Sequence, residues 1–209
     1  MSTDTEIFNR ALAALDELEK QITSVTADTS PNGKLALLFY AKTREEELRL
    51  NPWTFAVKRQ LAVASVATNN TGWLYSYTVP TDSLRVIGIY ERDTGYLTSD
   101  MDHEGELYYH HIVEKGIIYT NAIVSTNLFV KYIERITDPT LFDPNFEEAF
   151  VLRLAGKLCK SVTGDVAYRR ALQDEYGALL LRARAENALE AEDDSEAEGD
   201  TFWTDRSRV

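Results

Sequence analysis

The chain has 209 residues, which is enough for one large domain or two small ones with a substantial hydrophobic core. Hydrophobic residues make up 44% and charged residues 27%, the ordinary balance of a globular protein. The formal net charge is −12, and eight carboxylates lie in residues 186–200, a segment without Lys or Arg. The rest is only mildly acidic, and duplex DNA is bound mainly by Lys and Arg that neutralise phosphates. The composition therefore excludes a strong non-specific DNA-binding protein.

The cysteine content and the N-terminal sequence indicate the cellular compartment in which the chain is made. Cys159 is the only cysteine, so no disulfide can form within the chain, and its apolar surroundings predict a buried thiol. Residues 1–6 are polar and acidic and lack the basic and apolar regions of a signal peptide. No apolar run approaches the length needed to cross a bilayer. We expect synthesis in the cytoplasm and no membrane partner.

Helical patterns occupy the N-terminal part of the chain. A first helix is predicted over residues 4–25, capped by Thr3 or Thr5. Its apolar stripe, at three- and four-residue spacing, consists of Ile7, Ala11, Leu12, Leu15, Leu18 and Ile22. A second helix is predicted over residues 34–50 and ends before Pro52, because a residue that precedes proline is pushed out of the helical region. One side of this second helix is expected to present Leu35, Leu38, Phe39 and Lys42.

Two more helices are predicted near the C-terminus. Asp143 is a typical cap residue and Pro144 suits the first helical position, so a third helix is expected to start there. A break at residues 163–165 separates it from a fourth helix over residues 166–191. The chain therefore has a helix pair at each end.

The middle of the chain, residues 53–137, has strand character. Its Val, Ile, Tyr, Thr and Phe residues come in short runs separated by Gly, Asn and Asp, and several runs alternate apolar with polar residues. The predicted strands cover residues 61–67, 73–79, 84–91, 106–110, 116–120 and 127–136. Short strands in this number fit a small antiparallel sandwich or barrel.

The order helix, helix, strands, helix, helix sets the expected architecture, which is of the α+β class. Neither helix pair has enough apolar surface to fold alone, so the N- and C-terminal pairs are expected to form one four-helix bundle. An antiparallel β-sandwich or barrel is then inserted into this bundle, which is tolerated because loop closure costs grow slowly with length. The predicted regions are 1–52 (first half of the bundle), 53–140 (inserted β domain), 141–191 (second half of the bundle) and 192–209 (acidic linker and C-terminal tail).

Signatures of catalysis are missing from the sequence. It has no Gly-rich phosphate loop, no Gly-x-Ser-x-Gly elbow, no Cys-x-x-Cys pair and no His-Glu-x-x-His. Residues 44–47, which are Arg44 and three glutamates, and Glu175 are expected on solvated helix faces, since nothing places a second carboxylate beside these acids in a cleft. The arginines of the fourth helix are interspersed with acidic residues, which favours ion pairs over a nucleic-acid site. We predict no catalytic or cofactor-binding residue, and a protein that is not an enzyme.

One acidic segment, residues 100–106, faintly resembles a calcium-binding loop. Glu104 would stand at its fifth position and His111 at its twelfth, where a bidentate Glu is needed, so we expect a solvated loop and no metal ligand. His110 and His111 are adjacent, and on one strand they would point to opposite faces. A small acid/base or metal-dependent hydrolase that uses Asp102, Glu104 and His111 is the enzymatic alternative.

Six short motifs occur in register along the chain. They are, in order, Arg10-Ala11-Leu12; Pro52-Trp53 followed by Phe55-Ala56; Tyr77-Thr78-x-Pro80-x-Asp82-x-Leu84-Arg85; Tyr132-Ile133 followed by Phe142-Asp143-Pro144-x-Phe146; Leu152-Arg153-Leu154-Ala155; and Glu175-Tyr176. Together they resemble the tail tubular protein A family, the head-to-tail adaptors or gatekeepers of short-tailed phages. The resemblance covers about residues 10–185, and the acidic linker after Ala191 does not match the family pattern.

The resemblance implies a structural virion protein of the neck or tail. It implies a dodecameric ring below the portal protein that extends the DNA channel, seals packaged DNA and contacts the tail nozzle, tubular protein B. Tail fibres are a further candidate partner. DNA would pass through the channel without specific binding, in keeping with an acidic lumen. The structural alternative is a neck or tail-completion protein of a long-tailed phage with a similar bundle.

Two groups of residues are predicted to make contacts. The C-terminal tail resembles adaptor tails that dock on the portal, with residues 192–200 as a tether and aromatic side chains as anchors. The predicted docking residues are Phe202, Trp203, Arg206 and Arg208. An unsecured, disordered terminus is the competing interpretation. A hydrophobic junction between bundle and insertion is expected from Trp53, Phe55, Phe142 and Phe146.

Overall fold

The computed structural model describes residues 2–65, 72–92, 106–122 and 127–199. Within these ranges the chain has an α+β fold with four α-helices and two antiparallel sheets, which confirms the predicted class. The helices are α1 (Asp4–Ala13), α2 (Pro31–Leu50), α3 (Pro144–Val162) and α4 (Val166–Gly199). The strands are β1 (Val57–Leu61), β2 (Tyr75–Thr78), β3 (Ser83–Arg92), β4 (Glu106–Tyr109), β5 (His111–Glu114), β6 (Ile117–Thr120) and β7 (Leu128–Glu134).

The chain divides into two compact units. The helical unit comprises residues 1–55 and 136–189, and the strand unit is built on residues 56–135. The region boundaries expected after residues 52, 140 and 191 stay predictions.

The first helix is much shorter than predicted. Thr3 caps it through a reciprocal capping box, in which Thr3 Oγ1 accepts from the Glu6 N–H at 3.2 Å and Glu6 Oε2 accepts from the Thr3 N–H at 2.7 Å. The prediction of one continuous helix over residues 4–25 is wrong, because α1 ends at Ala13 and Asp16 adopts a left-handed conformation with φ of 58°. A chain reversal therefore replaces the second half of the expected helix.

A side chain, rather than helical hydrogen bonds, holds the segment that follows α1. The Asn9 amide donates to the Ile22 carbonyl at 2.9 Å and accepts from the Ile22 N–H at 2.9 Å. Leu15, Ile22 and Val25 are buried although they lie outside α1. The apolar spacing therefore identified core residues correctly, and an irregular chain brings them to the core.

The buried face of α2 differs from the prediction. It consists of Gly33, Ala36, Tyr40, Thr43, Arg44, Glu47 and Leu48. Leu38, expected on the apolar side, is 64% exposed. Residues 44–47 were expected to be solvated, and this is wrong for Arg44 and Glu47, which are buried. Polar partners on other helices compensate for burying Glu47, and Arg44 Nη1 donates to the carbonyl of Thr137 at 3.3 Å.

Helix α3 packs against both α1 and α2. Asp143 caps it by accepting hydrogen bonds from the N–H groups of Asn145 at 2.8 Å and Phe146 at 3.4 Å, and Pro144 occupies its first turn, as predicted. Cys159 on this helix is buried, which confirms the prediction for its thiol. α3 thus supplies much of the apolar core of the helical unit.

The strand unit holds two open antiparallel sheets. The larger has the strand order β1-β7-β3-β4 and the smaller has the order β2-β6-β5. Neither sheet closes on itself among the described strands. Residues of both sheets belong to one buried cluster that consists of Tyr77, Ile89, Ile118, Ala122, Leu128, Val130 and Tyr132.

One predicted strand is wrongly placed, and one strand was missed. The strand expected to begin at Leu61 instead ends there, because Val-Lys-Arg-Gln-Leu is a partly exposed edge strand whose composition does not indicate a strand. The strand predicted over residues 106–110 is β4, Glu106–Tyr109, which pairs with β3. The sequence analysis missed β5, His111–Glu114, which pairs with β6. The chain passes from one sheet to the other at His110, whose carbonyl accepts from the Thr120 hydroxyl at 2.8 Å.

Candidate functional site

Glu47 on α2 is a fully buried carboxylate that bonds to two other helices. Its Oε2 atom accepts hydrogen bonds from the Tyr176 hydroxyl at 2.7 Å and from Arg153 Nη1 at 3.2 Å. Its Oε1 atom accepts from Asn51 Nδ2 at 3.2 Å. A buried charge is tolerated when it is both paired and hydrogen-bonded, and Glu47 meets both conditions. These contacts tie α2, α3 and α4 together.

A second carboxylate, Glu46, adjoins the first. Lys157 on α3 forms an ion pair with Glu46 Oε2, and Arg153 Nη2 lies 3.5 Å from the same atom. The hydrogen bond from Lys157 holds the pKa of the Glu46 carboxyl below its ordinary value. Two acids therefore face two bases. We call Glu46, Glu47, Arg153, Lys157 and Tyr176 the helical polar cluster.

Tyr176 on α4 acts as a donor in this cluster. Arg153 Nη1 donates to the Tyr176 hydroxyl at 3.0 Å, and the guanidinium carbon lies 5.8 Å from the centroid of the tyrosine ring. Burial, together with the charge of Glu47, raises the pKa of Tyr176 to about 12. The phenol therefore stays protonated at neutral pH and keeps its hydrogen bond to Glu47.

A groove of about 270 Å³ lies beside the cluster. It is lined by Leu152, Arg153, Gly156, Lys157, Arg169, Leu172, Gln173 and Tyr176. Acid–base catalysis needs a titratable group that can exchange a proton with a substrate. Arg153 and Lys157 are held by carboxylates, and these lining residues include no carboxylate or histidine. The arrangement favours a structural role for the cluster.

The four aromatic residues predicted to form a junction come together in the helical unit. The ring centroid of Phe146 lies 5.4 Å from that of Trp53, 5.2 Å from that of Phe55 and 4.8 Å from that of Phe142. All three contacts are edge-to-face, a favoured geometry for aromatic pairs. Trp53 Nε1 also donates to the carbonyl of Glu47 at 3.3 Å. Their role as a junction between the two units stays a prediction.

Lys58 on β1 is the centre of a polar network in the strand unit. Its Nζ atom donates to Asp82 Oδ2 at 2.7 Å and to Glu134 Oε1 at 2.6 Å. The Tyr132 hydroxyl donates to Asp82 Oδ1 at 2.9 Å. The bonds to Asp82 and Glu134 raise the pKa of Lys58, and burial with the bond to Asp82 raises the pKa of Tyr132 to about 12. The network links β1, β7 and the turn before β3.

Several predicted positions lie outside the described residues. They include residues 100–105, and with them Asp102 and Glu104 of the hydrolase alternative. The portal-docking residues Phe202, Trp203, Arg206 and Arg208 lie outside as well. Within the described ranges, no group of three or more His, Cys, Asp and Glu residues could hold a metal ion.

The two adjacent histidines do not share a strand. His110 lies between β4 and β5, where the chain changes sheet, and its ring centroid is 5.4 Å from that of Trp73. His111 is the first residue of β5, and its Nδ1 atom lies 3.3 Å from the carbonyl oxygen of Tyr109. The expectation that they point to opposite faces of one strand therefore does not apply.

The sequence interpretation missed the helical polar cluster. Glu47 recurs at three- and four-residue spacing with Ala36, Tyr40 and Thr43, so it lies on the buried face of α2. Arg153 stands within an apolar run of α3. A cation in such a run needs a buried acid as partner, and this was the signal that could have identified the pair.

Comparison with known proteins adds no family assignment, since neither the protein-family models nor the curated proteins that were searched match the chain. Among the described residues, no helix is both long and apolar enough to cross a membrane. The resemblance to phage adaptors therefore depends on the six motifs alone.

Proposed function

We propose that this chain is a structural virion protein, a head-to-tail adaptor of the tail tubular protein A kind, and not an enzyme. Its subunits form a dodecameric ring that joins the portal protein to the tail nozzle, tubular protein B. The ring extends the DNA channel in the neck of the virion. Tail fibres contact it as a further partner.

The observation that carries this proposal is the role of the motif residues. Asp82, Tyr132, Arg153 and Tyr176 belong to four successive motifs of the six, and each makes hydrogen bonds to residues distant in sequence. Residues that maintain the fold are the ones a structural family has in common, whereas an enzyme family would also share a reactive group. The described motif residues present no nucleophile with an adjacent base.

The proposal also describes the fold in more detail than its α+β class. The four helices form one bundle, supported by the Glu47 contacts across three helices and by the hydrogen bond from the Tyr168 hydroxyl on α4 to the Ala14 carbonyl after α1, at 2.7 Å. The two sheets stack as a sandwich, supported by the buried cluster with residues from both. The strand unit is the insertion.

The charge of the chain suits a ring that surrounds DNA without binding it specifically. Eight carboxylates of the acidic chain lie in residues 186–200 and the rest is mildly acidic, and an acidic lumen would repel phosphate and let DNA slide. Passage without tight binding is the behaviour expected from such a channel.

The proposal is tested by mixing the full-length protein with the portal protein of the same virus and imaging the mixture by negative-stain electron microscopy. We expect portal particles with an added ring on their tail-facing end. The matched control is the portal protein alone. Portal particles that never acquire the ring would overturn the adaptor role, and a ring found in virions without portal contact would indicate a neck protein of another kind.

A further inference from the structure

The groove between α3 and α4 has a side that the helical polar cluster does not use. The groove lies within the helical unit and has a volume of about 270 Å³. Two of the residues that line it, Leu152 and Leu172, are buried and give it an apolar floor. Arg169 and Gln173 line it from α4, and both are exposed. The groove therefore combines an apolar floor with a polar rim.

Three donor groups that line this groove lack an acceptor. Within the described residues, neither Arg169 nor Gln173 has a side-chain hydrogen bond or ion pair. The Nε–H of Arg153 is buried and has no partner there either, although both Nη atoms of this residue bond to carboxylates. Because donors without acceptors are costly once they are removed from water, a ligand that enters the groove has to supply acceptors.

Gly156 on α3 keeps the groove open. It lies in the interior of the helix and lines the groove, and a Cβ atom added there would meet no atom within 4 Å. Glycine in a helix interior costs stability relative to alanine. Neither a positive φ nor a close neighbour among the described residues requires glycine at this position. The space above Gly156 is therefore available to a ligand.

Hydrogen-bonding capacity, rather than net charge, selects the ligand. The acids and bases of the helical polar cluster balance each other. Asp165, one turn before Arg169, caps α4 by accepting two backbone N–H groups. The exposed Arg170, Asp174 and Glu175 do not line the groove. Arg169 is thus the one lining cation without a carboxylate partner within the described part of the chain, and its planar fork of N–H donors matches a carboxylate.

We propose that this groove binds an aspartate or glutamate side chain of a partner protein. The carboxylate accepts hydrogen bonds from Arg169 and Gln173. Its aliphatic stem lies over Gly156 and the two leucines of the floor. The volume of about 270 Å³ is below the roughly 300–1,000 Å³ of sites that enclose a whole small ligand, so it suits one side chain of a larger molecule. This site goes beyond the adaptor role and does not depend on it.

Saturation-transfer NMR on the full-length protein tests the site, because it observes the probe and works for a monomer and for a ring alike. The probe is the peptide acetyl-Leu-Glu-Leu-amide, and its control is the same peptide with Gln in place of Glu. Arg169→Gln removes the free guanidinium, and Arg170→Gln is the matched control at an exposed arginine outside the groove. Gly156→Leu fills the groove. Circular dichroism checks folding, and Gln173→Ala replaces Gly156→Leu if that variant does not fold.

The measurements use about 5 mM probe, which populates contacts with millimolar Kd. We expect the wild type and Arg170→Gln to bind the Glu peptide equally. Arg169→Gln should bind it at least about tenfold more weakly, the effect of one lost charge-assisted hydrogen bond. Gly156→Leu should abolish saturation transfer, because its side chain occupies the place of the ligand. The Gln peptide should bind the wild type at least about tenfold more weakly than the Glu peptide.

The proposed site is overturned by a wild type that gives no saturation transfer to the Glu peptide, or that binds the Gln peptide equally well. It is also overturned if Arg169→Gln or the groove variant binds like the wild type. Hexanoate and inorganic phosphate are two further probes. Tighter binding of either one than of the Glu peptide would indicate a site for a free anion and overturn the assignment to a protein side chain. Portal binding and ring formation are not part of these measurements, so failure of the adaptor role remains a separate outcome.

Discussion

The hydroxyl of Tyr176 on α4 lies 2.7 Å from a carboxylate oxygen of Glu47 on α2, across a sequence separation of 129 residues. Arg153 on α3 bonds to the same oxygen, so three helices share one charge-balanced contact. The helices concerned come from both ends of the chain. The N-terminal and C-terminal segments therefore depend on each other for a satisfied buried charge.

Replacing Glu47 by Ala is expected to destabilise the protein by about 3 kcal/mol, because Arg153 and Tyr176 lose their buried acceptor and Arg153 keeps only the longer ion pair with Glu46 at 3.5 Å. Urea denaturation followed by circular dichroism measures this loss. Glu148→Ala is the matched control at an exposed glutamate of α3, and we expect its effect to stay within about 0.5 kcal/mol. Equal stability of the two variants would contradict the structural role of the cluster.

The stability of the protein should be equally sensitive to truncation of the aromatic residues around Phe146. Phe146 is fully buried among Trp53, Phe55 and Phe142, so Phe146→Ala is expected to cost about 3–5 kcal/mol through lost burial and a residual cavity. Thermal unfolding gives the measurement. Leu141→Ala removes an exposed side chain and is expected to shift stability by less than about 0.5 kcal/mol. A tolerated Phe146→Ala would mean that these rings do not form the core described.

The Lys58 network predicts part of the acid sensitivity. Burial alone would raise the pKa of Asp82, but hydrogen bonds from Lys58 and Tyr132 outweigh it and hold the pKa below its ordinary value of 3.8. A carboxyl with a lowered folded pKa stabilises the fold above the unfolded pKa, and this stability is lost as pH falls through the folded pKa. Stability should therefore fall as the pH drops below about 4.

The Asp82→Asn variant isolates this contribution. We expect it to be less stable than the wild type at pH 7 and to lose less stability between pH 7 and acidic pH, as measured by Tm across a pH series. Glu114→Gln, at an exposed glutamate of the same unit, should keep the wild-type pH profile. Parallel profiles of Tm against pH for the wild type and Asp82→Asn would show that Asp82 contributes nothing to the loss of stability in acid.

Helix periods, caps and strand character could be predicted from the sequence because they are local. Asp143-Pro144 marked the start of α3, and Leu15 and Ile22 were recognised as apolar core positions. The end of α1 could not be predicted, since it depends on a left-handed Asp16 and on Asn9 bonding to a distant backbone. Local sequence patterns do not reveal a helix end that depends on such contacts.

The candidate site was harder to predict for the same reason. The carboxylate of Glu47 is buried because its partners come from helices more than 100 residues away, and a sequence window around α2 contains only Asn51 among them. Edge strand β1 was misplaced because its exposed residues are as polar as those of a loop. Both errors concern side chains whose environment is set by tertiary contacts.

The C-terminal residues 201–209 are expected to anchor the protein on the portal. Deleting them, or replacing Trp203 by Ala, should raise the Kd for the portal protein at least about thirtyfold, the effect of an aromatic residue worth about 2 kcal/mol. Surface plasmon resonance measures the affinity, with Ser195→Ala in the acidic linker as the control. Unchanged affinity would discard the anchor and leave any portal contact to the folded units.

Cryo-electron microscopy of the virion neck tests the adaptor role most directly. The density below the portal should form a ring into which subunits with this α+β fold can be placed, in contact with the portal on one side and the tail nozzle on the other. Virions whose portal touches the tail nozzle without an intervening ring of this fold, or that lack the chain altogether, would contradict it.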